Sequence, residues 1–272
     1  LTAPCGIPQG SVLGPLLFLL YVNDIHHCSN KLKFFLFADD TNILYANKNL
    51  KSLEQTVNTE LCFLHDWLTT NKLTLNIKKS KFVIFRPRQK TTNYRPKINI
   101  FDNETNKNVN LEIKNSIKYL GVLIDENLSW KNHIDSVITK ISKTIGIITK
   151  LRHFVPSSVL LNIYTSLITP YITYGLITWG TASKTYLHKI LLLQKRVLRL
   201  IYFVDRKDHA IPLFVKAKTL PVTFLYYEAV CNLMFNIHNN NAPTNIMRLF
   251  TKTSNIHTHA TRSSTSQHYY VK

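Results

Sequence analysis

The chain has 272 residues, which is long enough for one large domain or two ordinary domains with a hydrophobic core. Hydrophobic residues make up 45% of the sequence, which excludes a disordered tail, and the 7 glycines and 10 prolines exclude a collagen-like or proline-rich chain. Lys and Arg total 34 against 15 Asp and Glu, a net charge of +19. This excess predicts a polyanionic partner, most often nucleic acid, with an anionic membrane as the weaker alternative.

The cysteines and the start of the chain suggest an intracellular protein. The 4 cysteines show no C-x-x-C spacing, which favours reduced thiols over a zinc or disulfide scaffold. The chain begins at Leu1 without a basic, apolar leader, so we expect a segment of a longer open reading frame, located in the cytoplasm or nucleus. Residues 153–183 carry no Asp, Glu, Lys or Arg, but polar residues interrupt them every few positions. This pattern predicts a buried helix pair rather than a membrane span.

The first half is predicted to alternate short strands and helices. Ser11 is suited to cap a helix that runs to about Ile25, with Pro15 in its first turn, where the missing N–H costs little. Apolar residues at helical spacing predict an amphipathic helix over 51–70. The other expected elements are a hairpin over 34–46, a strand-like stretch over 73–85, a loop or exposed hairpin over 86–110 and a strand over 116–124.

The second half is predicted to be helical and basic. Apolar spacing predicts helices around 134–148 and 187–201, and from about residue 236 a sequence rich in Asn, His, Thr and Ser is expected to pack poorly. Residues 127–272 hold 18 of the 34 Lys and Arg but only 4 of the 15 Asp and Glu, so most of the attraction for a polyanion lies here. The basic residues that lie off the apolar stripe of the second helix are Lys189, Lys195, Arg196 and Arg199.

The adjacent pair Asp39-Asp40 at the tip of the first predicted hairpin is the strongest chemical signal. Adjacent carboxylates repel, so each raises the pKa of the other unless a cation neutralises them. The neighbouring residues offer no positive charge. Oxygen ligands favour Mg²⁺ or Mn²⁺, and a solvated Asp-Asp turn is the alternative interpretation.

A second signal, Gly6-Ile7-Pro8-Gln9-Gly10-Ser11, leads into the first predicted helix. The two glycines let the backbone approach a ligand closely, and the Gln9 amide offers both a donor and an acceptor. The N–H groups at the start of a helix favour phosphate. A plain Pro-Gly turn followed by an N-cap is the alternative.

Together these residues resemble reverse transcriptases of non-LTR (LINE-type, jockey-like) retrotransposons. GIPQGSVLGPLLFLLYVNDI (Gly6 to Ile25) resembles the segment that lines the template and the incoming nucleotide, and FADD (Phe37 to Asp40) resembles the metal-binding hairpin. LTLNIKKSK (Leu73 to Lys81) resembles the next palm motif, and IKYLGVLIDENLSW (Ile117 to Trp130) resembles the primer-grip hairpin. The basic helices from Lys131 onward fit the thumb and connection. Four motifs in this order make the resemblance specific, and it covers nearly the whole chain.

The resemblance implies an α+β fold and RNA-templated DNA synthesis from dNTPs on a DNA primer or target, with Mg²⁺ or Mn²⁺ and no membrane partner. It implies a partial palm over 1–130, made of an antiparallel sheet with packing helices, a helical basic thumb and connection over 131–235, and a polar tail over 236–272. The implied site residues are Asp39, Asp40 and Lys79 for catalysis, the two aspartates also for metal; Gly6, Pro8, Gln9, Gly10 and Ser11 for template and nucleotide; Tyr119, Leu120, Gly121 and Val122 for the primer; and Lys189, Lys195, Arg196 and Arg199 for the nucleic-acid backbone.

One departure from the family pattern bears on activity. Family members carry an Asp-bearing strand and fingers upstream of the GIPQGS segment, and this chain contains neither. Two-metal phosphoryl transfer uses carboxylates that bridge both ions, so we expect the chain alone to be inactive. The alternative function is a non-catalytic, nucleic-acid-binding remnant of a decayed or truncated element. An RNA-directed RNA polymerase is disfavoured because that class usually has Gly where this chain has Ala38.

Overall fold

The structure, a computed structural model, describes residues 10–89, 93–103, 105–253, 256 and 269–271. The chain divides into unit 1, Leu1–Ile117, and unit 2, Lys118–Lys272. Helices occur together with small two-stranded sheets, in agreement with the predicted α+β class. The more detailed division into palm, thumb and tail stays a prediction.

Unit 1 begins with helix α1 (Gly14–Val22) and a 3₁₀ turn (Ile25–Cys28). Strands β1 (Lys33–Phe37) and β2 (Asp40–Leu44) then form the antiparallel hairpin that the sequence predicts. The long helix α2 (Leu50–Thr70) follows, also as predicted.

Helix α2 begins where its first N–H groups find an acceptor. The Asn49 side chain accepts hydrogen bonds from the backbone N–H groups of Lys51 at 2.8 Å and Ser52 at 3.3 Å. The apolar stripe of α2 contributes Leu61 and Leu64 to a small core. This core holds α2 against the 3₁₀ turn, and Phe34 of β1 packs on it.

The rest of unit 1 consists of short strands. Strand β3 (Lys81–Phe82) pairs in parallel with β6 (Glu112–Ile113). Strand β4 (Asn99–Asp102) pairs antiparallel with β5 (Lys107–Asn110). The second pair confirms the exposed hairpin that was one of the two possibilities for residues 86–110.

Two predicted elements of unit 1 are shorter than expected. Helix α1 covers less than the predicted 11–25, because its N-cap is Leu13, although Pro15 does lie in the first turn. Residues 73–85 form a strand only at β3. The carbonyl oxygen of Asn76 accepts hydrogen bonds from the N–H groups of Lys79 and Ser80, so the chain turns where the apolar alternation predicted a strand.

A hairpin replaces the single strand predicted over 116–124. Strand β7 (Ser116–Tyr119) pairs with β8 (Val122–Asp125) across a two-residue turn. Both turn residues have positive φ, +44° at Leu120 and +83° at Gly121, as a type I′ turn requires. The continuous apolar run hid this turn, whereas the family resemblance implied a hairpin here.

Unit 2 is mainly helical. Its two long helices, α3 (Lys131–Leu151) and α7 (Lys184–Tyr202), confirm the two helices predicted from apolar spacing. Residues 254–255, 257–268 and 272 of the predicted tail lie outside the described residues. The elements in chain order are α3 (Lys131–Leu151), α4 (Ser157–Ile163), a π-helical turn (Tyr164–Ile168), α5 (Thr169–Thr173), α6 (Leu176–Trp179), α7 (Lys184–Tyr202), α8 (Ile211–Lys216), α9 (Val222–His238), α10 (Thr244–Met247), and the antiparallel pair β9 (Phe250–Lys252) and β10 (Tyr269–Val271).

The core of unit 2 forms where α3 packs on α7. The uncharged stretch 153–183 lies in the same core, where Tyr164 and Trp179 are fully buried. The stretch is helical and buries one face in this core, as predicted, whereas its other face is exposed, for example at Leu167. Among the described residues, no helix combines the length and apolar character needed to cross a membrane.

A fully buried glutamine ties three elements of unit 2 together. The Gln194 side chain on α7 donates hydrogen bonds to Tyr164 Oη at 3.1 Å and to the carbonyl of Leu220 at 3.2 Å. It also accepts one from the N–H of Val222, the first residue of α9, at 2.8 Å. Because each polar atom of the amide has a partner, its burial is compatible with a stable core.

Candidate active site

The register of the β1–β2 hairpin places the two adjacent aspartates differently. Phe37 pairs with Asp40, so Ala38 and Asp39 form the two-residue turn and Asp40 begins β2. Ala38 has a φ of +49°, in the left-handed region that glycine adopts without strain. Both aspartates are exposed to solvent.

The electrostatics of this turn fit a divalent cation in part. Neither aspartate side chain forms a hydrogen bond or ion pair with another described residue, so no group in the described part of the chain neutralises their charge. Carboxylate oxygens are suitable ligands for Mg²⁺ or Mn²⁺. In the described part of the chain, however, no group of three or more His, Cys, Asp or Glu side chains could hold a metal ion. The pair can therefore supply only part of a metal site.

The two aspartates also differ in what lies beside them. Asp39 and Ala38 line a cavity of about 500 Å³, whose other wall is the first half of α1. The residues that α1 contributes are Gly14, Pro15, Phe18 and Leu19. Asp40 does not line this cavity. A ligand that enters it would therefore meet Asp39.

The base of the hairpin is anchored to α2 by a buried carboxylate. Ser29 Oγ donates a hydrogen bond to Glu60 Oε2 at 2.7 Å, and Lys31 Nζ lies 3.0 Å from Glu60 Oε1. The Ser29 hydroxyl and then Lys31 hold the pKa of Glu60 below its ordinary value. Glu60 is therefore charged at neutral pH, and the anchor fixes the chain just before β1. Sequence reasoning missed it because its partners are 31 residues apart.

Of the residues predicted to bind template and nucleotide, Gly10 and Ser11 lie in the described part of the chain. Gly10 has a φ of +86°, which requires glycine, and a Cβ built on it would meet open space. Ser11 Oγ accepts a hydrogen bond from the N–H of Gly14 at 3.1 Å, so it supports the start of α1 without being its N-cap. Gly6, Pro8 and Gln9 lie outside the described residues.

Lys79 lies in the turn that interrupts the predicted strand. Its backbone N–H donates to the carbonyl and to the side chain of Asn76, both at 3.1 Å. Its ammonium is exposed, and no ion pair joins it to a described carboxylate. The nearby Lys81 differs, since its Nζ lies 3.4 Å from Glu112. The structure therefore leaves the Lys79 charge available but does not bring it into contact with Asp39 or Asp40.

The basic residues of α7 divide into two groups. Lys189 and Arg196 are exposed, and Lys195 is half-buried. Arg199 instead donates two hydrogen bonds to the carbonyl of Asp208, at 2.6 and 3.3 Å, which ties the end of α7 to the following loop. Its charge remains, but its guanidinium is partly used within the protein.

The comparisons with known proteins agree with these motifs. Residues 2–124 match the family model described as reverse transcriptase (RNA-dependent DNA polymerase). This range includes α1, the β1–β2 hairpin and most of the β7–β8 hairpin. Residues 2–124 are thus similar to reverse transcriptases, and no solved structure matches the chain.

The chain is also similar to curated proteins of transposons and other mobile elements. The chain is 29% identical over 204 residues to "Probable RNA-directed DNA polymerase from transposon X-element" of Drosophila melanogaster, an alignment that covers 72% of this chain and 21% of the relative. It is 28% identical over 207 residues to "RNA-directed DNA polymerase from mobile element jockey" of the same species, which covers 72% and 22%. "Retrovirus-related Pol polyprotein from type-1 retrotransposable element R1 2" of Nasonia vitripennis is 23% identical over 142 residues, covering 52% and 34%. The predicted resemblance to jockey-like polymerases is confirmed, and the chain spans about a fifth of the first two relatives.

Proposed function

We propose that this chain is a segment of the RNA-directed DNA polymerase of a non-LTR retrotransposon. The observation that carries the proposal is the exposed, unneutralised Asp39-Asp40 turn beside α1, within the segment that matches the reverse-transcriptase family. The substrates would be an RNA template, a DNA primer or target, and dNTPs. The place of action would be the cytoplasm or the nucleus.

Asp39 and Asp40 would hold Mg²⁺ or Mn²⁺ together with carboxylates from elsewhere in the complete polymerase. A bound divalent ion supplies charge neutralisation at the attacking and leaving oxygens of phosphoryl transfer. Asp39 has the larger role in this proposal because it lines the cavity beside α1, whereas Asp40 does not. The anchor at Glu60 fixes the chain just before β1, the strand that leads to the turn with the two aspartates.

The other residues would orient nucleic acid and nucleotide. Gly6, Pro8, Gln9, Gly10 and Ser11 would contact the template and the incoming dNTP at the start of α1, where N–H groups favour phosphate. Lys79, whose ammonium has no carboxylate partner among the described residues, would neutralise or protonate the departing pyrophosphate. The β7–β8 turn, Tyr119 to Val122, would hold the primer end. Lys189, Lys195, Arg196 and Arg199 would contact the nucleic-acid backbone without reading sequence.

Primer extension by the complete polymerase that contains this chain tests the proposal. Asp39→Asn removes one negative charge at the turn and should lower dNTP incorporation on the order of a thousandfold. Asp40→Asn should cost less. Asp66→Asn is the matched control, because Asp66 is an exposed aspartate of α2 outside the hairpin and its loss should leave incorporation unchanged.

The outcomes separate the two functions that the sequence left open. A wild-type protein that binds nucleic acid but extends no primer would favour the non-catalytic remnant. An Asp39→Asn variant as active as the Asp66→Asn control would contradict the proposed metal site. If Asp40→Asn were the more damaging change, the roles of the two aspartates would have to be exchanged.

A further inference from the structure

The turn of the β7–β8 hairpin is held by a residue from a distant part of unit 2. Tyr174, which ends α5, donates a hydrogen bond from its hydroxyl to the carbonyl of Leu120 at 2.6 Å. Leu120 is the first residue of the hairpin turn, 54 residues earlier in the chain. The contact therefore links the turn to the segment between α5 and α6.

Two glycines allow this close approach. A Cβ built on Gly121 would lie 3.2 Å from the ring of Tyr174, tighter than ordinary van der Waals contact. A Cβ built on Gly175 would lie 3.1 Å from a methyl group of Val122. Both glycines have positive φ, +83° and +62°, a backbone conformation that favours glycine, and a side chain at either position would also be in tight contact. The hairpin turn and the Tyr174-Gly175 segment thus fit together closely.

Tyr174 is itself fixed by the core of unit 2. The indole N–H of the fully buried Trp179 donates to the carbonyl of Tyr174 at 2.9 Å. The hairpin has a second attachment on β8, where the N–H of Leu123 donates to His133 Nδ1 at 3.3 Å. Burial, and then the charge of Lys140, lowers the pKa of His133, so its ring is neutral at neutral pH and Nδ1 can accept this bond.

We propose that Tyr174 is a positioning residue that sets where the β7–β8 turn presents the primer terminus. The inference rests on the proposed function, in which this turn contacts the primer. Tyr174 is 57% exposed, so its hydroxyl contributes little to the core of unit 2. Its hydrogen bond instead fixes the carbonyl of the turn residue beside the primer. A small displacement of a reacting group lowers the rate of reaction more than the affinity for substrate. Loss of this hydrogen bond should therefore lower kcat rather than weaken binding.

The test compares two tyrosine-to-phenylalanine variants of the complete polymerase. Tyr174→Phe keeps the ring against Gly121 and removes only the hydrogen bond to Leu120. We expect kcat for primer extension to fall roughly tenfold, with the KM for dNTP and the Kd for primer–template within about twofold of wild type. Tyr171→Phe, three residues earlier, is the matched control, because its ring lies near Lys140 and its hydroxyl donates no hydrogen bond to a described residue. It should leave all three quantities unchanged.

Two further measurements separate positioning from stability. Tyr174→Phe should keep the thermal unfolding midpoint but speed amide hydrogen exchange in residues 118–125 of the 272-residue chain. Gly121→Ala, which pushes the turn away from the intact Tyr174, should lower kcat in the same way. Faster exchange with unchanged kcat would overturn the inference, and so would a fall in kcat accompanied by an equal loss of stability. Wild-type polymerase that extends no primer would instead contradict the proposed function itself.

Discussion

Units 1 and 2 differ in how far their helices bury apolar side chains. Helix α1 of unit 1 is apolar on all sides, yet Val22 is its one buried residue, and Leu20 is 66% exposed. Helix α7 of unit 2 is amphipathic, and its Ile190 and Leu198 are completely buried. Unit 2 therefore has the larger internal core, although its helix α9 also exposes apolar residues such as Phe235, and unit 1 leaves nearly all of α1 on its surface.

This difference shows where the candidate active site receives its support. A helix that is apolar on all sides is normally buried, so α1 gains little stability from its present contacts. Asp39 faces the same helix across the cavity. The candidate site therefore lies in the unit with the smaller core, whereas the hairpin that would hold the primer is attached to the larger core of unit 2 through Tyr174 and His133.

The largest effect is expected when the units are separated. Residues 116–272, which keep the β7–β8 hairpin intact, should fold alone and unfold cooperatively, because their core is internal to unit 2. Residues 1–115 should show no cooperative transition and should bind a hydrophobic dye. Circular dichroism during thermal and urea unfolding measures both. Cooperative unfolding of 1–115 with a midpoint near that of 116–272 would break the comparison.

A pair of leucines sharpens the comparison within helices. Leu198→Ala empties a fully buried position of α7 and should lower the free energy of unfolding by about 2–5 kcal/mol. Leu20→Ala makes the same substitution on the exposed surface of α1 and should change the free energy of unfolding by less than about 0.5 kcal/mol. Amide hydrogen exchange of the 272-residue chain in urea, followed in α7 for Leu198→Ala and in α1 for Leu20→Ala, measures the two changes separately. Similar losses for the two variants would mean that α1 is covered in solution.

The basic charge of unit 2 gives a third test, on nucleic-acid binding. Replacing Lys189, Lys195 and Arg196 by Gln should flatten the slope of log K against log salt on duplex DNA by about 0.9 for each side chain that contacts a phosphate. Arg199 is left in place because it holds the carbonyl of Asp208. The control removes the same charge from exposed lysines of unit 1, namely Lys48, Lys72 and Lys107.

The salt slope decides between two roles for these charges, contact with nucleic acid and mere solvation of α7. A triple variant of α7 that keeps its affinity and its slope would remove α7 from the nucleic-acid surface. Equal flattening in the α7 variant and the control would indicate a general effect of net charge, with no preference for unit 2.

The sequence predicted elements whose signal is local and periodic. Helices α2, α3 and α7 follow from apolar spacing because each buries one face. The strand predicted over 73–85 was wrong beyond β3, because hydrogen bonds to Asn76 turn the chain despite its apolar alternation. The turn at Leu120 was hidden because a leucine with positive φ carries no turn signature.

The same distinction applies to the candidate site. Asp39-Asp40 could be proposed from the sequence because the two adjacent carboxylates have no basic neighbour and because the family resemblance assigns a metal-binding role to this hairpin. The contacts that support the site join residues far apart in the chain, such as Ser29 with Glu60 and Leu120 with Tyr174. Such pairs have no spacing pattern, so only the folded structure identifies them.

The smallest predicted effect concerns the loop after β8, where Asp125 is buried. Its carboxylate accepts backbone hydrogen bonds from Asn127, Ser129 and Trp130 at 3.2, 3.0 and 2.8 Å. Burial alone would raise the pKa of Asp125, but these N–H groups outweigh it and hold the pKa below its ordinary value. The stabilisation is therefore fully present above the unfolded-state pKa of about 3.9 and is lost as pH falls through the lower folded-state pKa.

Asp125→Asn should lower the stability of residues 116–272 at pH 7 by less than Leu198→Ala does, and the difference from wild type should shrink as pH falls below 4. Urea unfolding at several pH values measures this stability difference. Asp208→Asn is the control, because Asp208 is exposed. If the free energy of unfolding of Asp125→Asn stayed below that of wild type by the same amount down to pH 2.5, the charge of Asp125 would not be the source of the stabilisation.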